Sequence, residues 1–288
     1  MPQVSERAVS LTCGGNQMLG VLHLPDAGPV RHDIGVLVIV GGPQYRVGSH
    51  RQFVLMARHL AGRGYPVFRF DCRGMGDSDG EHRGFANLES DIRCAISAFF
   101  DEVPALDRVA LFGLCDGASA ACIVADRDPR VAALILTNPW VHTETGAAQV
   151  LIRHYYLQRL LQRSFWQKLW ADGLPLLQKA RELVDAGRKA AKRTTGRSSQ
   201  KDESFVSAMR RGLASFKGET LLLMSQNDLT RQEFDLLCAQ SKEWGRLVSG
   251  PRVTRVDLFG ADHTFSTLGS LSTAAERTVL WLDERALK

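Results

Sequence analysis

The chain has no C-x-x-C pair and no histidine and cysteine cluster at zinc-binding spacing; its six cysteines, Cys13, Cys72, Cys94, Cys115, Cys122 and Cys238, are scattered. This excludes a zinc-ribbon module and a small disulfide-stapled scaffold. Reduced thiols, mostly in the core, are expected, with no metal and no cofactor. No uninterrupted apolar run approaches the roughly 18 residues that span a bilayer. The opening MPQVSERAVS lacks a basic stretch followed by an apolar one, so no secretory signal is expected and the protein should reside in the cytoplasm. Internal repeats, low-complexity tracts and recognised nucleic-acid-binding motifs are also missing, so nucleic acid is not an expected partner. With 44% hydrophobic and 23% charged residues, the composition is that of a folded globular chain.

What the sequence has is alternation. Two β-like runs, RAVSLTC and QMLGVLHL, precede IGVLVIVGG (Ile34 to Gly42), which reads as a strand buried on both faces. A helix follows in HRQFVLMARHLAGRG, where Phe53, Met56 and Leu60 share a face. Then come a strand with a glycine-rich turn (YPVFRFDCRGMGDSDG), a helix (LESDIRCAISAFFDEV), a strand (DRVALFGLC), a helix (DGASAACIVADR) and a strand (VAALILTNPW). After residue 217 the alternation resumes with ETLLLMSQND as strand, RQEFDLLCAQSKEWGRL as one helix, RVTRVDLFGADH as strand and STAAERTVLWLDERAL as helix. Strands interleaved with helices imply right-handed crossovers and a mainly parallel sheet.

The interruption, residues 141–217, carries the charge asymmetry. It holds 15 Lys and Arg against 6 Asp and Glu, whereas the other 211 residues hold 21 against 25. A basic stretch is most often a solvated face; a localised positive field can also attract an anionic ligand or surface. Within it, Ile152, Tyr155, Tyr156, Leu160 and Leu161 recur near helical spacing beside Arg153, Arg159, Arg163 and Lys168. The ordinary reading is a cap helix with its apolar side over a cleft. A helix lying on an anionic membrane, or a basic mouth for coenzyme A phosphates or an acyl carrier protein, are the sharper alternatives.

Candidate chemistry begins at Gly113-Leu114-Cys115-Asp116-Gly117, a G-x-C-x-G run between an apolar strand and small helix-forming residues. A nucleophile on such a strand-to-helix turn needs flanking glycines, because side chains there would clash as the backbone doubles back. The motif alone is weak. It gains weight from Asp228, after LLLMSQN, and His263, after VTRVDLFGAD, which follow in the chain order nucleophile, acid, base. Taken singly, Asp228 reads equally well as a helix N-cap and His263 as a loop histidine. Glu144 is a second acid candidate. The oxyanion donors expected are the Asp116 amide and one from the loop Gly41-Gly42-Pro43-Gln44-Tyr45-Arg46; Pro43 has no N–H, which moves the second donor to Gln44. FDCRGMGDSDG is read as a structural turn held by Arg73 and its aspartates.

On these residues the chain resembles the α/β-hydrolase superfamily over nearly its whole length. GGPQYRVGSHRQF, FDCRGMGDSDG, GLCDGASA and LLLMSQNDLTRQEF together look like the exosortase A system-associated hydrolase, type 1, of bacterial exopolysaccharide and protein-sorting neighbourhoods. The resemblance implies an α/β fold with a mainly parallel eight-stranded sheet and helices on both faces. Its core would be residues 1–140 and 218–288, with 141–217 as a helical, basic lid. It implies an acyl-Cys115 intermediate, His263 as base and acid, and Asp228 orienting the imidazole. Cysteine elbows similar to this one occur in dienelactone hydrolases and polyhydroxyalkanoate synthases, so hydrolysis and acyl transfer both stay open. Thiol chemistry, rather than the resemblance, makes the expected substrate an acyl thioester or activated ester, free or bound to coenzyme A or a carrier protein; peripheral contact with an anionic inner membrane through the lid is the alternative use of the basic segment. A catalytically silent ligand-binding or scaffold protein with the same cleft is the competing reading.

Overall fold

The computed structural model describes residues 4–25, 33–42, 44–141 and 199–286. Strands β1 (Val4–Cys13) and β2 (Asn16–Pro25) form a hairpin closed by Gly14 and Gly15, both at positive φ, as a two-residue turn between twisted strands requires. β2 then pairs antiparallel with β4 (Val67–Phe70). From β4 onward every pairing is parallel, through β3 (Ile34–Ile39), β5 (Arg108–Leu114), β6 (Val131–Thr137), β7 (Glu219–Asn227) and β8 (Val253–Asp262). The sheet of eight strands has the order β1-β2-β4-β3-β5-β6-β7-β8.

The central strands read as continuous apolar runs because they are covered on both faces. Every residue of β3 is buried, and β5 is buried from Val109 onward. Burying a side chain such as Phe112 contributes about 1.5–3 kcal/mol. Helix α1 (Gln52–Gly62) turns Phe53, Met56 and Leu60 inward, as their spacing requires, and packs beside α7 (Leu268–Trp281). The other helices are α2 (Glu89–Glu102), α3 (Asp116–Val124), α4 (Ser199–Ser215), α5 (Leu229–Gln240) and α6 (Lys242–Val248).

Two details differ from the sequence reading. The helix expected over 231–247 is broken at Ser241, whose extended backbone lets its side chain cap α6 by accepting from the Trp244 N–H. At the end of the segment read as a lid, α4 lies against α3 and buries Phe205, Met209 and Leu213 in the main core. The rest of that segment, with Glu144 and the basic and aromatic positions from 152 to 168, lies outside the described residues. Among the described residues no helix is long and apolar enough to cross a membrane.

The order of connection places the functional cleft. From β3 the chain moves outward to β4, then returns past β3 to β5, so the direction of winding reverses between β3 and β5. Loops leaving the carboxyl ends of those two strands diverge and frame a crevice. The turn after β4 braces one of them. Asp71, fully buried, accepts from the Arg46 N–H at 2.6 Å and pairs with its guanidinium, while the Ser78 hydroxyl donates to the Asp71 carbonyl at 2.8 Å. Arg73 and Asp91 form a buried pair, with Nε to Oδ1 at 2.7 Å, so the aspartate and arginine pattern of this turn is structural. Removing one partner of such a pair costs about 3–5 kcal/mol, because the other charge is left uncompensated.

Candidate active site

Cys115 sits between β5 and α3 at φ 58° and ψ −123°, a conformation that costs a non-glycine residue about 1–3 kcal/mol. The elbow is held by its neighbours. The Cys115 N–H donates to the Thr137 carbonyl at 2.9 Å, its carbonyl accepts from the N–H groups of Ser119 (3.1 Å) and Trp140 (3.3 Å), and the Ser119 hydroxyl donates to the Trp140 carbonyl at 2.7 Å. The glycines are required by close approach. A Cβ at Gly113 would overlap the backbone of Gly117 and Ala118, and one at Gly41 would overlap the Gly117 nitrogen.

Asp228 follows β7 and caps α5. One carboxylate oxygen accepts from the Thr230 N–H at 2.8 Å and the other lies 2.7 Å from His263 Nδ1, so the helix cap and the imidazole partner are the same side chain. Its side chain is 3% exposed. Asn138, itself at positive φ, stitches the ends of β6 and β7 together by accepting from the Ser225 N–H and donating to its hydroxyl. His263 follows β8, and its turn is fixed by Asp262, which accepts from the N–H groups of Thr264 and Ser266.

The hydrogen bond to Asp228, followed by that to Cys115, lifts the His263 pKa to about 10, against the opposing effect of burial. The raised pKa favours an imidazolium, which would donate Nδ1–H to Asp228 and leave Nε2 toward the cavity shared with Cys115. That state suits a thiolate partner. A serine hydroxyl would instead need a neutral imidazole to take its proton.

Cys115 and His263 open onto a cavity of about 230 Å³ with Phe53, Leu114 and Trp140 as its apolar wall. Trp140 is clamped by Phe85 and Phe205, with ring centroids 5.4 and 5.5 Å away. Gly41, Gly42, Gln44 and Asp116 complete the lining, with the Asp116 carboxylate against Gly41 and Gly42. Burial pushes the Asp116 carboxyl above its usual range; its own N–H, the Cys115 thiol, the His263 charge and the Gly42 N–H act against that. A larger groove of about 700 Å³, between β1, α1 and α7, contains none of these groups and belongs to a different face of the molecule.

Of the residues singled out from sequence, Cys115, His263, Asp228, Asp116 and Gln44 meet around this one crevice. Pro43 and Glu144 lie outside the described residues. Sequence reading did not mark Phe53 or Trp140 as cavity walls, nor Gly42 as an amide facing the elbow. The spacing of Phe53 places it only on a core helix face, and nothing local to Trp140 shows that Phe85 and Phe205 reach it.

A family model described as serine aminopeptidase, S33, matches residues 33–229. No curated protein matches the chain. An esterase of Pyrococcus furiosus has a similar structure, with TM-score 0.64 and 14% identity over 98% of this chain and 93% of the other. A dienelactone hydrolase of Anabaena variabilis gives 0.60 and 17% over 99% of both chains. Est1E of Butyrivibrio proteoclasticus, solved with ferulic acid bound, gives 0.62 and 15% over 97% of this chain and 100% of the other. At these identities the likeness establishes the α/β-hydrolase fold.

Proposed function

This chain belongs to the serine aminopeptidase S33 family of α/β-hydrolases, and we propose that it acts through cysteine: a hydrolase of acyl thioesters or activated esters that passes through an acyl-Cys115 intermediate. The observation that carries the proposal is His263, 2.7 Å from the buried Asp228 carboxylate and lining one cavity with Cys115. The family description names a serine, and the elbow of this chain has a cysteine in that place.

The Cys115 thiolate attacks the acyl carbon, forming the C–S bond and moving the carbonyl electron pair to oxygen. The Asp116 amide, with Gly42 or Gln44 across the crevice, stabilises that oxygen. As the tetrahedral adduct collapses, the bond to the leaving thiol or alcohol breaks and the His263 imidazolium supplies its proton. Neutral His263 then takes a proton from water, whose oxygen attacks the thioester; the carboxylic acid leaves and the thiolate–imidazolium pair returns. An amine or sugar hydroxyl in place of water would make the same cycle an acyl transfer. Because thiolate is itself a good leaving group, an adduct on an amide tends to revert, which favours thioesters and activated esters over peptides.

The motif resemblance to exosortase A system-associated hydrolases supports a place beside a bacterial export and exopolysaccharide system, in the cytoplasm near the inner membrane. The basic character of residues 141–217 supports a lid that meets coenzyme A or carrier-protein acyl donors, or an anionic membrane surface. Initial rates on a short acyl thioester and on the matching amide test the reading. The wild type should cleave the thioester and not the amide, and C115A neither. Cleavage of the amide alone, or full activity in C115A, would overturn it.

A further inference from the structure

We infer that the Asp116 carboxylate is an internal occupant of the oxyanion hole, seated where the carbonyl oxygen of an acyl substrate is to be held, so that substrate binds only when this side chain swings out. The inference rests on the proposed acyl chemistry at Cys115 for its meaning and on the local geometry for its position. Oδ1 lies 2.5 Å from where a Cβ of Gly41 would stand and Oδ2 lies 3.2 Å from that of Gly42, so the carboxylate fills the slot between the glycine loop and the elbow. The charged carboxylate is favoured by its own N–H and by that of Gly42, against burial. One opens α3 and the other leaves β3; together they are a pair of donors converging on one anion.

A side chain serving only as a helix cap would turn toward the next N–H groups of α3. This one lies against Gly41 and Gly42 of the loop that follows β3. A developing oxyanion cannot share that slot with a carboxylate, because two like charges would have to lie within a hydrogen-bond length of the same donors. Asp116 is thus a positioning residue: it fixes when the two amides are free, and it places Gly42 beside Asp116 as the loop donor.

Emptying the slot should turn it into a site for a small anion, and acetate is the probe. Alkylation of Cys115 by iodoacetamide, followed by peptide mass mapping, is measured with and without acetate at constant ionic strength in wild type, D116A, D116S and D116N. Acetate should slow alkylation several-fold in D116A and D116S and leave wild type unchanged. D116N retains an oxygen in the slot and should behave as wild type. Equal protection in all four proteins, or in none, would overturn the inference. Acylation by p-nitrophenyl acetate, read by intact mass on the same proteins, keeps the two ideas apart. Faster acylation of D116A and D116S than of wild type supports the inference. Protection by acetate without acylation of any variant leaves the occupied hole standing and removes the acyl chemistry. Acylation at unchanged rate with no acetate protection does the reverse.

Discussion

His263 Nδ1 lies 2.7 Å from one oxygen of Asp228 while the other oxygen, 2.8 Å from the Thr230 nitrogen, holds the first turn of α5. The two demands on Asp228 can be separated by substitution. D228N keeps an acceptor for Thr230 but loses the charge that holds the imidazolium. It should lower the rate on an activated ester by about 10²-fold or more with little change in thermal midpoint. D228A should lose the rate equally and in addition about 1 kcal/mol of stability from the missing cap. Parallel rate measurements and thermal melts check this; equal stability of D228A and wild type would remove the capping role.

Cysteine and serine are not interchangeable beside a histidine whose pKa is lifted by Asp228 and by Cys115 itself. An imidazolium pairs with a thiolate but cannot accept a proton from a hydroxyl. C115S should therefore lose about 10²–10⁴-fold, the range that general-base catalysis supplies, even though serine is the residue its family is described by. Steady-state rates on a short activated ester measure the loss.

Stability should follow the same titration. The folded His263 pKa of about 10 lies above the ordinary value of 6.5, so folding takes up a proton. Its contribution is fully present below about pH 6.5, declines through the interval and is gone above pH 10. Urea midpoints across that range should fall more steeply in wild type than in D228N, which loses the carboxylate whose hydrogen bond is the largest cause of the rise. The difference should be modest, since the His263 side chain remains 35% exposed and solvent screens it.

The fold could be read from the chain because its central strands are long apolar runs separated by helices, and because Asp228 and His263 each follow a strand. Three things depend on contacts between distant residues and could not be read. Ser241 interrupts a helix whose apolar spacing continues through it, since the competing cap is a local hydrogen bond rather than a change of pattern. Trp140 becomes a cavity wall only because Phe85 and Phe205 close on it from other segments. Asp116 was marked for its backbone amide, but the direction taken by its side chain follows from the room left at Gly41 and Gly42.

The same close approach makes the elbow intolerant of a single methyl group. G41A and G113A would each force a Cβ into backbone atoms of the α3 turn, which cannot give way as a flexible side chain would. Each should cost about 1–3 kcal/mol or more, visible in the urea midpoint, and should depress the rate on an activated ester by displacing Cys115. Retention of both stability and rate in G113A would contradict the packing described at the elbow.

If the proposed cycle is right, Cys115 carries the acyl group during turnover. Intact-mass spectrometry of the protein quenched during turnover of p-nitrophenyl acetate, followed by peptide mapping, tests it directly. One acetyl group per chain is expected, located on Cys115 and absent in C115A. An unmodified wild-type protein during active turnover, or an acetyl group on any other residue, would contradict it.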